Sequence, residues 1–495
     1  MRRKYLLLCI LIDILAISLI PVNALLINFN MPEFLSILAS LTVIASAAIF
    51  FIKIPKGKIS KAFVGILAFI TVVISILGSY CNPYWNSIQF RLNADYYSKP
   101  YDYRISSGKA VEDLDYAMKY LKKLHPALYR EIPEDIRQQY EKVKTRIQQS
   151  GEIRVNDLAR EIESVFSILR DGHTYVRGNY ADRKIMKYYR RWISDGYEIT
   201  AVNGISIEEL LDRMSNYYSF EATSWELEWL SDDIVTEAGL DYLGFDMEDG
   251  IEYTLTSSDR RTRVETCNAD DFLSWKEYAE FNGIDNTKTT EKSFVSYEID
   301  EEKNIAILRL DQCTYNSEYI NCVRAMFQEV KDKGIGNVAV DLRYNGGGNS
   351  QVANEFFRYL DIDSYKIGTL GWRFGFIYIR LGNGIAKNDK YEDLLFNGNL
   401  YLLTSAGTFS SAMMFAQLVK DNNLGTIIGE APGNDPNGYG EIAYFKLPNS
   451  QLFMQISTKR FYRADRECTD DLVYPDIECK SELVMDELYK LINKK

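Results

Sequence analysis

Val338-Ala339-Val340-Asp341-Leu342-Arg343-Tyr344-Asn345-Gly346-Gly347-Gly348-Asn349 is the stretch on which the fold turns. Residues 338–342 are a short, mostly apolar run that stops at polar residues and three consecutive glycines. A run of that length, bounded by a turn, fits a buried strand. Residues 352–360 then carry apolar side chains at helical spacing. Strand, glycine turn and helix follow one another without a long connection. The pattern continues on both sides. Residues 305–310 read as a strand, and Ile320, Val323, Phe327 and Val330 share one helical face. Residues 400–404 read as a strand, 410–420 as a helix and 426–428 as a strand. Such alternation predicts an α/β core, a mostly parallel sheet flanked by helices.

The chain has 495 residues, enough for two or three globular units. It is 46% hydrophobic and 25% charged, which excludes a mainly disordered protein. The formal charge of −12 and the lack of a basic stripe exclude nucleic acid as an expected partner. None of the seven cysteines forms a Cys-x-x-Cys pair, so no structural zinc is expected. Cys468 with Cys479, or Cys313 with Cys322, is open to pairing in an oxidising compartment, and reduced buried thiols are equally compatible. There are two histidines, His125 and His173, so histidine chemistry must use one of them.

Three apolar stretches open the chain, at 5–27, 34–54 and 62–81, each about the ~20 residues that cross a bilayer. Arg2, Arg3 and Lys4 precede the first, and Lys53, Lys56, Lys58 and Lys61 lie between the second and third. Placing both basic clusters inside gives a multi-pass anchor, with everything after Cys81 on the extracytoplasmic side of the cell membrane. Membrane lipid is then a partner of the N-terminal helices. Asp13 is costly within the first span unless paired or wet, and the run before Ala24 also reads as a signal peptide. The expected organisation is an anchor at 1–81, a linker at 82–109, a helical subdomain at 110–180, a β-rich unit at 181–300 and the α/β domain at 301–495. In the helical part Pro133, followed by acidic residues, marks a helix start.

Three features carry chemistry. The glycines at 346–348 let backbone amides point into a cleft, as an oxyanion requires, although glycine turns are often only turns. Thr404-Ser405-Ala406-Gly407-Thr408-Phe409-Ser410-Ser411-Ala412 places a serine at the start of a helix. Such a serine is an activated nucleophile or simply an N-cap. His173, in Asp171-Gly172-His173-Thr174 at a helix end, is a candidate base, whereas His125 beside Pro126 reads as structural.

In order and spacing these motifs resemble the C-terminal-processing and tricorn-type serine peptidases. The resemblance rests on Asp171-Gly172-His173-Thr174, on Asp341-Leu342-Arg343 with Asn345, Gly347 and Gly348, on Ser410-Ser411-Ala412 with Ile428-Gly429-Glu430, and on Leu472-Val473-Tyr474-Pro475-Asp476-Ile477. It implies a membrane-anchored peptidase acting on a peptide or protein substrate, with no cofactor and no metal. Ser410 is implied as nucleophile, His173 as general base, and the amides of Gly346 or Gly347 with Ser411 as the oxyanion hole. Part of the β-rich unit, around 196–211, looks like a degenerate PDZ-type module that takes a substrate tail. The family's lysine base is missing from 433–440, which favours the histidine arrangement. Where the tricorn type has a supporting glutamate, the chain offers Glu467, Thr469, Asp470 and Asp471; Asp470 is the expected third catalytic residue, or else part of a solvated acidic turn. The alternative is a catalytically weak or inactive peptidase-like protein that binds peptides or other ligands without cutting them.

Overall fold

The structure is a computed structural model that describes residues 2–25, 32–54, 57–84, 86–89, 94–284 and 293–493. Its centre is a six-stranded sheet in the order Val295–Asp300, Ile305–Leu310, Asn337–Asp341, Asn399–Thr404, Thr426–Gly429, Ile477–Glu478. The first pair is antiparallel and the rest are parallel. Alternation along each strand sends its side chains to two different cores. Ala306, Leu308, Val338, Val340, Leu400 and Leu402 face the helices Ser317–Lys333, Gln351–Phe357 and Ser411–Asp421. Ile305, Ile307, Ala339, Tyr401 and Leu403 face the C-terminal helix Val484–Asn493. Both faces are covered, which is why these strands are apolar without a polar side.

The helices Ser107–Leu124, Glu134–Gln149 and Val155–Phe166 form the helical part, and Pro133 caps the second with Glu134 and Asp135 in its first turn. A second sheet joins Ile377–Leu381, Thr369–Phe374, Phe453–Tyr462 and Tyr439–Lys446. Tyr175–Arg177 adds to it by pairing with Phe453–Gln455, and so carries the turn after the helical part onto the core.

The region 181–300 is more helical than its sequence suggests. It holds a four-stranded antiparallel sheet, Ile205–Ser206, Tyr197–Val202, Ile251–Ser257 and Thr262–Cys267. Beside the helix Ile207–Met214 it also contains Thr223–Asp233, Glu237–Leu243 and Trp275–Phe281. The cause is visible in Thr223–Asp233, whose buried residues are Glu226, Leu230 and Asp233. Two buried carboxylates hide the apolar period from a sequence reading.

At the N-terminus three helices pack together, Arg2–Leu25, Pro32–Lys53 and Lys58–Cys81. Among the described residues one, Lys58–Gly78, is long and apolar enough to cross a membrane, and Ile37–Lys53 is apolar but shorter. The expected spans at 5–27 and 34–54 each include residues whose side chains lie outside those described. All seven cysteines are free, so neither expected pair is bonded.

Candidate active site

The strands Asn337–Asp341 and Asn399–Thr404 are parallel neighbours, so the turns at their C-terminal ends emerge side by side. Four hydrogen bonds lace these turns together. Leu342 N donates to Leu403 O (2.9 Å), Tyr344 N to Ser405 Oγ (3.0 Å), Phe409 N to Asn345 O (2.9 Å) and Thr408 Oγ1 to Leu342 O (2.9 Å). Fully buried Asn345 donates from Nδ2 to Leu310 O (2.8 Å), fixing the glycine turn to a third strand.

Ser410 ends the second turn at φ 54° and ψ −120°, a conformation that L-residues avoid. Its hydroxyl makes no capping hydrogen bond to the helix Ser411–Asp421. The N-cap reading therefore fails here: an N-cap sits in extended backbone and accepts from the first turn. The strain is held from outside, because Ser410 N donates to Asn434 Oδ1 (2.8 Å). A sharp, strained strand-to-helix turn is the geometry that exposes a nucleophilic hydroxyl in hydrolases.

Gly347, at φ 101°, lies against this turn, and a Cβ there would stand 2.6 Å from Ser410 Cβ. Its amide is already engaged, donating to Asn345 Oδ1 (2.9 Å). The Gly346 amide has no acceptor among the described residues, and a side chain at 346 would meet nothing within 4 Å. Ser411 is the first residue of its helix, so its amide is one of the unsatisfied N-terminal donors. Of the expected oxyanion donors, Gly346 and Ser411 are thus available and Gly347 is occupied.

His173 reaches the same region through the added strand. Gln455 Nε2 donates to His173 O (2.8 Å) and Ser457 N to Thr174 Oγ1 (2.9 Å). The imidazole packs on Phe409, the residue before Ser410, with ring centroids 4.5 Å apart, and Phe409 stacks in turn on Trp225. Both ring nitrogens are buried and make no hydrogen bond among the described residues. His173 and Ser410 therefore share a site without being hydrogen-bonded in this structure, a looseness common in unliganded catalytic pairs.

Asp171 is the residue that sequence reasoning passed over. It is fully buried beneath His173, accepting from His173 N at Oδ1 (3.0 Å), with His173 Nδ1 3.7 Å from the same oxygen. His125 Nε2 bonds Asp171 Oδ2 at 3.0 Å, and His125 Nδ1 accepts from Ala127 N (3.2 Å). Those contacts make Nδ1 the acceptor and Nε2 the donor of a neutral His125. Burial opposes the Asp171 charge, but hydrogen bonds from His125 and His173 prevail and hold its carboxyl well below the ordinary range. Glu221, whose Oε2 accepts from Gly172 N (2.9 Å), is pushed far upward by burial and by the Asp171 charge. The two carboxylates beside His173 are thus pushed in opposite directions. Asp171, His173 and Glu221 also bring ligand-type atoms within 4.8 Å of one another, which in spacing alone suits a cation. Neither Asp171 nor His125 was separable from structural residues without knowing that positions 46 apart meet in the fold.

Asp470 makes no contact with His173 or Ser410 among the described residues. It is exposed, its Oδ2 accepts from Cys468 Sγ (3.5 Å), and its carbonyl oxygen accepts from Arg463 (3.3 Å). A cavity of about 480 Å³, lined by Arg177, Trp229, Tyr242 and Gln455, opens beside the strand Tyr175–Arg177 and includes neither His173 nor Ser410.

A sequence profile of peptidase family S41 matches residues 304–479, the span of the parallel strands and both turns. The chain carries a peptidase family S41 domain. It is accordingly a serine-type peptidase. The S41 fold recurs in solved structures. Mature CPAF complexed with lactacystin is 12% identical, with a TM-score of 0.56 over 79% of this chain and 99% of that one. Mature CPAF alone, also 12% identical, gives a TM-score of 0.54 over 79% and 98%. At such identity the likeness concerns the fold. No curated protein matches the sequence.

Proposed function

We propose that this S41 peptidase hydrolyses peptide bonds through Ser410, with His173 as general base and Asp171 as the group that orients His173. The observation that carries the proposal is the strained Ser410 backbone with a hydroxyl that serves no cap. His173 takes the Ser410 proton as Oγ attacks the carbonyl, then gives it to the leaving amine; water resolves the acyl-enzyme. The amides of Ser411 and Gly346 receive the oxyanion, each such donor being worth roughly 3–4 kcal/mol of barrier. The orienting role goes to Asp171 rather than Asp470, because Asp171 is the ionised, buried carboxylate that touches His173.

The same reading places the enzyme at a membrane. Lys58–Gly78 supports an anchor, and the basic residues at 53, 56, 58 and 61 favour an orientation with the S41 domain outside. The antiparallel sheet of 181–300, in the place expected for a PDZ-like module, is the proposed contact for a substrate tail.

A fluorophosphonate probe tests the chemistry. Covalent labelling that maps to Ser410 and vanishes in Ser410→Ala is expected; undiminished labelling of Ser410→Ala overturns the assignment.

A further inference from the structure

In the hairpin formed by Thr369–Phe374 and Ile377–Leu381, the turn and the second strand expose their apolar side chains instead of burying them. Phe376 at its turn is 64% exposed, Ile377, Ile379 and Leu381 are 44%, 37% and 42% exposed, and Ile385 just beyond is 61% exposed. Residues 377, 379 and 381 alternate onto one face of the strand. That strand is also an edge of its sheet, with no strand beyond it among the described residues. A long apolar edge left to water invites aggregation, and proteins normally blunt such edges.

What lies beside this hairpin says what covers it. Its turn sits on the end of the apolar helix: a Cβ at Gly375 would stand 2.6 Å from Cys81 Sγ and 2.8 Å from Cys81 Cα. Trp372 and Phe374 bury Cys81 between them. Cys81 is three residues past Gly78, where the membrane-length segment ends, so the contact is ~4.5 Å further along the helix axis. If Lys58–Gly78 spans the bilayer, that depth falls in the headgroup layer. Tyr80, 57% exposed, belongs to the residue types enriched there, and Lys123 Nζ lies 4.3 Å over its ring. Arg380 on the hairpin and Lys387 on the strand Ile385–Lys387 are exposed cations of the kind that anionic lipid phosphates attract.

We propose that this hairpin is a second membrane contact, inserting Phe376, Ile377, Ile379 and Leu381 into the bilayer interface beside the exit of the Lys58–Gly78 helix. The occupant of the apolar face is lipid, and the hairpin fixes the S41 domain against the surface instead of leaving it on a free tether. Arg373, on the same hairpin, donates to His125 O (2.7 Å), which connects this seating to the histidine that holds Asp171.

The inference rests on the membrane reading of Lys58–Gly78, and the test separates the two. The full chain is reconstituted in phosphatidylcholine–phosphatidylglycerol vesicles with the photocrosslinker p-benzoylphenylalanine in place of Phe376. A second sample carries it in place of Val264, which is 57% exposed on the remote sheet of the 181–300 region. Co-sedimentation with vesicles after carbonate washing reports the anchor. Lipid adducts from position 376 and none from 264 are expected. A chain that stays with the vesicles yet gives no lipid adduct at 376, or gives protein–protein adducts there instead, overturns the hairpin contact while leaving the anchor standing. A chain that washes off the vesicles overturns both.

Discussion

Replacing Gly347 by alanine puts a methyl group where the site has no room for one. The new Cβ would stand 2.6 Å from Ser410 Cβ and 2.9 Å from both Phe409 O and Ser411 N. Carbon atoms in contact settle at roughly 3.5–4 Å, so Ser410 and the Ser411 amide must retreat by about 1 Å. The backbone at φ 101° adds strain of about 1–3 kcal/mol that glycine does not feel. A displacement of about 1 Å between nucleophile and oxyanion donor costs on the order of a hundredfold in rate. Gly347→Ala is therefore expected to lower kcat/KM about a hundredfold on a fluorogenic peptide, and to slow fluorophosphonate labelling in parallel. Gly346→Ala is the control: no atom lies within 4 Å of its Cβ, its φ is not positive, and its amide is retained. Thermal melting of both variants confirms that they are folded. A folded Gly347→Ala enzyme with wild-type kcat/KM, or equal losses in the two variants, would refute the contact argument.

Three further outcomes are expected. Ser410→Gly abolishes labelling yet raises stability by about 1 kcal/mol, because glycine accepts φ 54° without strain; a lower melting temperature than wild type would show that no strain is stored there. Asp171→Asn lowers kcat by about 10⁴-fold through loss of the oriented imidazole, whereas Asp470→Asn leaves it near wild type; the reverse order in steady-state kinetics returns the orienting role to Asp470. Glu163 is raised by burial from 4.5 to about 8, despite accepting a hydrogen bond from Val176 N (2.7 Å). A raised carboxyl binds its proton more tightly folded than unfolded, so its contribution is full below 4.5 and is lost as pH rises to about 8. Glu163→Gln keeps the acceptor oxygen and should flatten the fall of melting temperature across that interval; an unchanged slope would remove Glu163 as its source.

The α/β core was legible because its signals are local. The strands predicted at 305–310, 338–342, 400–404 and 426–428 fall within one residue at each end of those observed. Each is apolar on both faces and bounded by a turn, so its neighbours need not be known. The helices at 223–233 and 237–243 were not legible, since buried Glu226 and Asp233 break the apolar period that identifies a helix. Asp470 was selected by its place in the sequence, but its contacts are with Cys468 and Arg463 and not with His173. Asp171, quoted within the histidine motif, gave no hint of its role, because a buried aspartate and a solvated one look alike in sequence.

The strand–turn–helix order, the glycine run and the placement of Ser410 at a helix start are written in consecutive residues, and hydrophobic periodicity with turn chemistry was enough to read them. Tertiary structure alone decided which side chains meet. The strand Tyr175–Arg177 pairs with residues 453–455, His125 crosses 46 positions to Asp171, and Asn434 reaches back to the Ser410 amide. The Ser410 strain, the engagement of the Gly347 amide and the hairpin on Cys81 likewise arise from packing between distant segments. Propensity acts over a few residues, whereas these contacts exist only after the entropy of closing long loops has been offset by burial elsewhere in the fold.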